Sequence, residues 1–167
     1  MKAFPAGLAA EAPGSELEKR FNDFLHGRAD PQPRQRYQDL LRRVGLRPTH
    51  QRIVLAQILF ADGNRHVTAE MLFEEAIEAG MPLSLATVYN TLKQFTEAGL
   101  LSQVGVDGAK AFFDTNPNEH HHFFIESEGI LRDIPAAEPI VERLPQAPEG
   151  FEIARVSVVV RLRRKRS

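Results

Sequence analysis

Four short helical patterns follow one another between residues 34 and 99, and their order constrains the fold more than any other feature of the chain. The first carries apolar residues at helical spacing and stops at Gly45. Each of the other three begins at a residue that typically caps a helix, namely Thr49, Thr68 and Ser84. The second pattern is apolar on more than one face, which predicts a helix that lies inside its domain.

A β-hairpin is predicted directly after the fourth helix, because apolar residues in 100–106 and 109–113 flank the turn dipeptide Asp107-Gly108. Helices joined by a short turn and followed by a hairpin have the order of a winged helix, a module that binds DNA. The outer face of the fourth helix has the small and polar side chains typical of a recognition helix: Ala86, Thr87, Tyr89, Asn90 and Lys93. An ordinary amphipathic helix is the alternative.

Basic residues are concentrated in two places, although the formal net charge of the chain is only −1. In the first cluster the single acid Asp39 stands among six arginines: Arg34, Arg36, Arg42, Arg43, Arg47 and Arg52. Such a cluster is typical of a contact with phosphate, and a solvated charged surface is the alternative. The second cluster, in residues 161–166, is interpreted as a solvated tail.

The chain contains no cysteine, which excludes disulfides, a cysteine nucleophile, thiolate zinc sites and iron–sulfur clusters. Any metal ion must therefore be held by histidine, carboxylate or water ligands. The hydrophobic content of 43% is enough for a packed core. No apolar run approaches the roughly 20 residues that span a bilayer, so we expect a cytoplasmic protein without a membrane contact.

Beyond Pro117 the hydrophobic pattern becomes mostly two-fold and predicts strands at 120–126, 130–134 and 151–162, with a short helix at 138–144. So few strands leave exposed edges, which a homodimer, or a larger oligomer such as a tetramer, would cover. The predicted fold class is α+β. It comprises an N-terminal arm (1–33), a winged-helix domain (34–115) and a small α/β dimerisation domain with a basic tail (116–167).

Three consecutive histidines, His120, His121 and His122, lie in the stretch DTNPNEHHHFFIE and concentrate ligand chemistry in one place. Imidazole is a common metal ligand and titrates near physiological pH. If a strand begins there, alternation sends His120 and His122 to one face and His121 to the other, so that the tract can serve two sites. Three solvated loop histidines are the alternative.

The ordered motifs of the chain resemble those of the ferric uptake regulator family over about residues 37–160. These motifs are GLRPTHQR, HVTAE, LATVYNTL, and FD followed by the histidine tract. Within the family, SLATVYNTLKQFTEAG, and FFDTN followed by HHHFF, are most similar to the iron response regulators of α-proteobacteria. The resemblance implies a dimeric regulator that binds operator DNA and controls iron-uptake and haem-biosynthesis genes. It would respond to iron or to haem, the latter supplied by a haem-delivering enzyme.

Position in the family also implies individual DNA contacts. Arg47 matches a basic residue placed in the minor groove, and Tyr89 matches a tyrosine that contacts thymine. Asn90 departs from the common arginine, and because asparagine pairs with adenine whereas arginine pairs with guanine, we expect a different operator. Arg52 is expected to contact phosphate. The predicted DNA surface comprises Arg47, Arg52, Thr87, Tyr89, Asn90 and Lys93.

The resemblance further implies a regulatory metal site at His66, Asp114 and His122, with Phe124 in place of the fourth ligand. A second site would use His121 and Glu138, with Phe123 where the family has an aspartate. Replacement of two ligands by phenylalanine suggests haem, which accepts imidazole axially and packs against aromatic rings. The alternative cofactor is a bare Mn²⁺, Fe²⁺ or Zn²⁺ ion completed by water. The residues alone favour the ion, and the resemblance favours haem.

Three classes of function remain open. A haem- or iron-responsive transcription regulator accounts for both the winged helix and the histidine tract. A small metal-dependent enzyme using His66, Asp114, His120 and His122 is a remote alternative, because no metallohydrolase motif such as His-Glu-x-x-His occurs. A structural nucleoid protein would leave the histidines and Asp114 without a role. We therefore expect a regulator and no enzymatic activity.

Overall fold

The computed structural model describes residues 33–107, 110–135, 141 and 143–165. The predicted N-terminal arm before Pro33 and the Gly108-Ala109 tip of the predicted hairpin lie outside the described residues. So does most of the predicted helix at 138–144, including the candidate ligand Glu138. Helices and strands occur in the predicted order within the described part, and the α+β fold class is confirmed.

Four helices form the first half of the structure: α1 (Pro33–Arg43), α2 (His50–Phe60), α3 (Ala69–Glu78) and α4 (Leu85–Glu97). The side chains of Thr49, Thr68 and Ser84 each accept a hydrogen bond from the backbone N–H three residues later. These bonds satisfy donors that the first turn of a helix leaves free. The predicted helices and the three caps are confirmed.

Helix α2 lies at the centre of the larger hydrophobic core, as its apolar pattern predicted. Its buried residues are Ile53, Leu55, Ala56, Leu59 and Phe60. The ring of Phe60 stacks on Tyr37 of α1 with centroids 6.5 Å apart. Val88, Leu92 and Phe95 belong to the same core, so the inner face of α4 is fixed and its outer face is presented to solvent.

The first sheet contains the predicted hairpin and one additional strand. Strands β2 (Ser102–Asp107) and β3 (Lys110–Asp114) form the hairpin, and β1 (His66–Val67) pairs with the other edge of β3. All pairs are antiparallel, and His66 lies directly opposite Asp114. The two-residue β1 was not predicted, because so short a strand has no period of its own and exists only through its partner.

The second sheet consists of β4 (His122–Ile125), β5 (Ile130–Asp133) and β6 (Val159–Leu162), with β4 in the middle. Strand β5 is antiparallel to β4, and β6 is parallel to it. The two sheets share a small apolar cluster of Val104, Val106, Phe112, Phe124 and Leu131. This cluster holds the wing hairpin against the C-terminal sheet.

The prediction of one long strand at 151–162 was wrong, since only Val159–Leu162 forms a strand. A strand needs a hydrogen-bonding neighbour, and β4, with which β6 pairs, is four residues long. Phe151 is consequently 76% exposed. The predicted short helix is also not found at its described positions, because Arg143 and Leu144 lie outside any helix. Among the described helices, none has the length and apolar character needed to cross a membrane.

Candidate metal centre

Five side chains converge where the two sheets meet, and each offers one potential metal ligand. They are His66, Asp114, His120, His122 and Asp133, and their ligand atoms all lie within 4.8 Å of one another. His122 and Asp114 are buried, whereas the carboxylate of Asp133 is 40% exposed. The cluster is therefore enclosed by protein but opens to solvent beside Asp133.

Two cross-strand pairs, one from each sheet, bring four of these residues together. His66 on β1 lies opposite Asp114 at the end of β3, and His122 on β4 lies opposite Asp133 at the end of β5. His120 precedes His122 by two residues and points the same way, as strand alternation predicts. His121 points away and accepts a hydrogen bond at Nδ1 from the backbone N–H of Val158 over 3.3 Å.

The distances from Asp114 fit ligands of one common ion. Its Oδ2 lies 2.9 Å from Nε2 of His120, 3.2 Å from Nε2 of His122 and 3.6 Å from Nε2 of His66. Two ligands placed about 2.1 Å from an ion, at angles of about 90° to 120°, lie about 3.0–3.6 Å apart. The observed separations match this spacing.

The carboxylate of Asp133 lies at similar distances from the same three imidazoles. Its Oδ1 lies 2.9 Å from Nε2 of His66, 3.2 Å from Nε2 of His120 and 3.7 Å from Nε2 of His122. Each carboxylate therefore faces all three imidazoles. Such mutual proximity is typical of ligands around one centre and exceeds what a chain of separate ion pairs requires.

Neighbouring backbone groups orient the donors. His120 shares a 2.8 Å hydrogen bond between Nδ1 and the carbonyl of Asn118, and with Nδ1 as donor the neutral ring directs the Nε2 lone pair into the cluster. Oδ1 of Asp114 accepts the backbone N–H of Asn116 over 2.8 Å, which leaves Oδ2 directed inward. The backbones of Arg65 and Thr115 bond to each other and extend the β1–β3 pair beyond His66 and Asp114. The ligands are thus held by regular structure.

One buried nitrogen fits the role of a metal ligand. Nε2 of His66 is buried and makes no hydrogen bond of acceptable geometry among the described residues, although Asp133 lies 2.9 Å away. A buried polar atom without a well-directed hydrogen bond is costly. The donor set and this nitrogen together fit a metal ion.

The carboxylates and imidazoles also shift one another's protonation. Burial lowers the pKa of His66, but Asp114 and Asp133 outweigh this effect and raise it to about 9. Hydrogen bonding to Asp114, and then to Asp133, raises the pKa of His120 to about 10. Burial raises the pKa of Asp114, yet its contacts with His120, His122 and His66 hold it well below its usual range. The contact with His120 lowers the pKa of Asp133 most strongly. Without an ion, protons on His66 and His120 balance the two carboxylates.

Phe124 was expected to stand in place of the fourth ligand of this site, and Asp133 of the neighbouring strand offers a further carboxylate there. Sequence analysis missed Asp133, although a signal existed. A hairpin joining the strands predicted at 120–126 and 130–134, with Ile125 opposite Ile130, places Asp133 opposite His122. Phe124 instead packs in the apolar cluster, with its ring 6.2 Å from that of Phe112.

The predicted DNA-binding residues lie on α4, at the start of α2 and in the loop before α2. Tyr89, Asn90 and Lys93 are exposed on α4, and Lys93 lies 3.9 Å from Glu97. Tyr89 donates a 2.7 Å hydrogen bond to Glu70 of α3. Thr87 is half-buried, and its hydroxyl bonds to that of Ser84 over 2.9 Å at the start of the helix.

Arg52 forms contacts with other parts of this surface. Its Nε and Nη2 donate to Oε1 of Gln94 on α4 over 3.1 and 2.7 Å. Its Nη1 donates to the backbone carbonyl of Arg47 over 2.8 Å. The guanidinium therefore links α2, α4 and the exposed loop that carries Arg47.

Comparison with known proteins identifies close relatives of this arrangement. Residues 43–161 match the model of the ferric uptake regulator family. The ferric uptake regulation protein of Pseudomonas putida is 33% identical over 128 residues, which cover 75% of this chain and 96% of that protein. The solved structure of the ferric uptake regulator from Pseudomonas aeruginosa with manganese is 31% identical, with a TM-score of 0.60, and the match covers 78% of this chain and 98% of that one. The Vibrio cholerae ferric uptake regulator shares the fold with a TM-score of 0.59 at 21% identity, over 75% of this chain and 98% of that one.

Proposed function

The chain belongs to the ferric uptake regulator family, and from that premise we propose that it senses a divalent metal ion at the five-residue cluster and binds operator DNA as a dimer. It is a metal-responsive transcription regulator and not an enzyme. The observation that carries the proposal is the convergence of His66 and Asp114 from one sheet with His120, His122 and Asp133 from the other. One ion bound there would tie the two sheets together.

Mn²⁺ or Fe²⁺ is the ion that the donor set favours. Three imidazoles and two carboxylates, without a thiolate, are hard to intermediate ligands that suit these ions. Zn²⁺ in structural sites typically takes four ligands, whereas five protein donors fit an ion that accepts five or six. The manganese in the Pseudomonas aeruginosa relative supports this choice.

Haem is less compatible with the cluster. A porphyrin occupies four positions around its iron and leaves two axial ones, so it could use at most two of the five converging donors. Of the two side chains expected to pack on it, Phe123 and Phe124, the second is buried in the apolar cluster with Phe112 and Leu131. We therefore propose a bare ion as the ligand.

The ion would act on DNA binding through the five-residue cluster, where the two sheets meet. Asp114 ends strand β3 of the wing hairpin, and His122 begins the central strand of the second sheet. Drawing these two strands to one ion fixes the angle of the winged helix relative to the C-terminal sheet. In a dimer, that angle sets the spacing of two recognition helices on the operator.

On the DNA side, we propose that α4 enters the major groove with Thr87, Tyr89, Asn90 and Lys93 on its exposed face, and that Arg47 contacts the adjacent backbone or minor groove. Arg52 would support this surface, because its three hydrogen bonds position Gln94 and the Arg47 loop. Its guanidinium can still attract phosphate electrostatically.

The test is a parallel titration of the metal-free protein with Mn²⁺, Fe²⁺ and haem. Operator DNA is first selected from a random-sequence duplex pool with the Mn²⁺-loaded protein, and operator affinity and the Soret band are then followed together. We expect Mn²⁺ to change operator affinity by at least about tenfold, consistent with typical allosteric coupling. A Soret band whose growth alone tracks operator affinity, with no response to either ion, would reject the proposal in favour of haem.

A further inference from the structure

We propose that Glu70 is a positioning residue for DNA reading, which holds the ring of Tyr89 on the recognition helix through a hydrogen bond with the tyrosine hydroxyl. The inference rests on the proposed role of α4 in DNA binding. Oε1 of Glu70 accepts the hydroxyl proton of Tyr89 over 2.7 Å. Glu70 lies in the first turn of α3, so the bond joins the two helices of the helix-turn-helix on their outer side.

The position of this bond distinguishes it from bonds that stabilise the fold. Glu70 is exposed and Tyr89 is 44% exposed, so neither side chain contributes much to the core. Exposed polar pairs add little to the free energy of unfolding. The carboxylate raises the pKa of Tyr89, chiefly through the hydrogen bond, in which the phenol is the donor.

A fixed ring has a direct consequence for recognition. Ordering a free side chain on binding costs about 2- to 10-fold in affinity, and a ring that is already oriented avoids this cost. With its hydroxyl engaged by Glu70, Tyr89 presents the ring itself, which suits apolar contact with a thymine methyl group. The charge of Glu70 also repels phosphate and weakens binding to every sequence. The fixed orientation of the Tyr89 ring strengthens binding to the operator alone, whereas the charge of Glu70 weakens binding to operator and random DNA alike. Glu70 therefore raises the ratio of operator affinity to random-DNA affinity.

The test measures that ratio with operator selected by the Mn²⁺-loaded wild-type protein. Glu70→Ala and Tyr89→Phe should each lower the ratio about 3- to 10-fold, and the double variant should lower it no further, because both changes remove one bond. Glu70→Gln should keep the ratio within about twofold while binding both DNAs more tightly, since its amide oxygen accepts the same bond without the charge. Glu74→Ala, an exposed glutamate on the same helix, is the matched control and should leave the ratio unchanged.

Each other outcome overturns the inference. If Glu70→Ala lowers the melting temperature but leaves the ratio unchanged, Glu70 only stabilises the start of α3. If the losses of the affinity ratio caused by Glu70→Ala and Tyr89→Phe are additive in the double variant, Glu70 does not act through the tyrosine hydroxyl. If the wild-type protein enriches no operator, the proposed function fails first and this inference falls with it.

Discussion

The five-residue metal cluster and the exposed face of α4, which is the proposed recognition face, both contain charged side chains, but in opposite surroundings. In the cluster, Asp114 and His122 are buried and each carboxylate faces three imidazoles. On the recognition face, Lys93 and Glu97 are 76% and 64% exposed and lie 3.9 Å apart in water. Burial makes the groups of the cluster depend on one another, whereas solvent screens the pair on α4. A single substitution should therefore have a large effect in the cluster and a small one on the helix surface.

The largest expected effect is on metal affinity. Asp114→Asn should weaken Mn²⁺ binding by more than about 100-fold, because it removes an anionic ligand that faces all three imidazoles, and even loss of an outer-shell partner costs about 10- to 100-fold. Isothermal titration calorimetry measures the affinity. Asp133→Asn should show a smaller loss because that carboxylate is partly solvated.

The exposed Glu119 beside the histidine tract provides the control for this comparison. Glu119→Gln should bind Mn²⁺ like the wild-type protein, and circular dichroism of each metal-free variant checks that it is folded. Wild-type affinity in the folded Asp114→Asn protein would contradict the assignment of the cluster as the metal site.

The pH dependence of metal binding is the next effect in size. The pKa values of His66 and His120 are raised to about 9 and about 10, so in the metal-free protein both rings carry a proton at pH 7. An ion must displace both protons, and its affinity should rise with pH by up to about 100-fold per unit below pH 9. Calorimetry in buffers of different ionisation enthalpy counts the protons released. If Mn²⁺ binding releases no protons at pH 7, this expectation is wrong.

The same raised histidine pKa values predict that the metal-free protein becomes less stable as the pH rises, whereas its metal affinity increases. A folded pKa above the usual histidine value means that these rings stabilise the fold fully below about pH 6.5, and that this contribution is lost as pH rises through 9 and 10. The lowered pKa values of Asp114 and Asp133 contribute stability that is present above about pH 4 and lost on acidification. Thermal melts of the metal-free protein between pH 6 and 10 measure the loss of stability at high pH.

Arg52 should show an intermediate effect, because it is half-buried and bonded to two parts of the proposed DNA surface. Arg52→Lys keeps the charge but not the forked hydrogen bonds, and should lower operator affinity about tenfold with an unchanged salt slope. Gln94→Ala should lower it comparably, and the double variant only slightly more. Near-normal affinity of Arg52→Lys would indicate direct phosphate contact instead.

Lys93 should show the smallest effect. Its ammonium is highly exposed, so Lys93→Gln should weaken binding about 2- to 3-fold on operator and random DNA alike, and lower the salt slope by about 1. Filter binding at several salt concentrations measures both quantities. A loss restricted to the operator would assign Lys93 to base recognition and remove the contrast with the buried cluster.

The local features of the fold were predictable because they repeat along the chain. Thr49, Thr68 and Ser84 cap helices and therefore indicate where each one begins. The spacing of apolar residues in each helix predicts which face is buried. The candidate site was predictable only in part. Resemblance pointed to His66, Asp114 and His122, and alternation placed His120 on the same face as His122. Asp133 joins them only through the register of β4 with β5.

The sequence by itself determined the helices, the hairpin and the histidine tract, since these follow from local periodicity and residue type. Only the tertiary structure decided that two sheets meet at one point, that Asp133 completes the donor set and that Phe124 belongs to an apolar cluster. It also decided that Glu70 bonds to Tyr89, and that Arg52 bonds to Gln94 and to the backbone of Arg47. These contacts join residues far apart in the chain, and their geometry depends on strand pairing and helix packing, which no local pattern specifies.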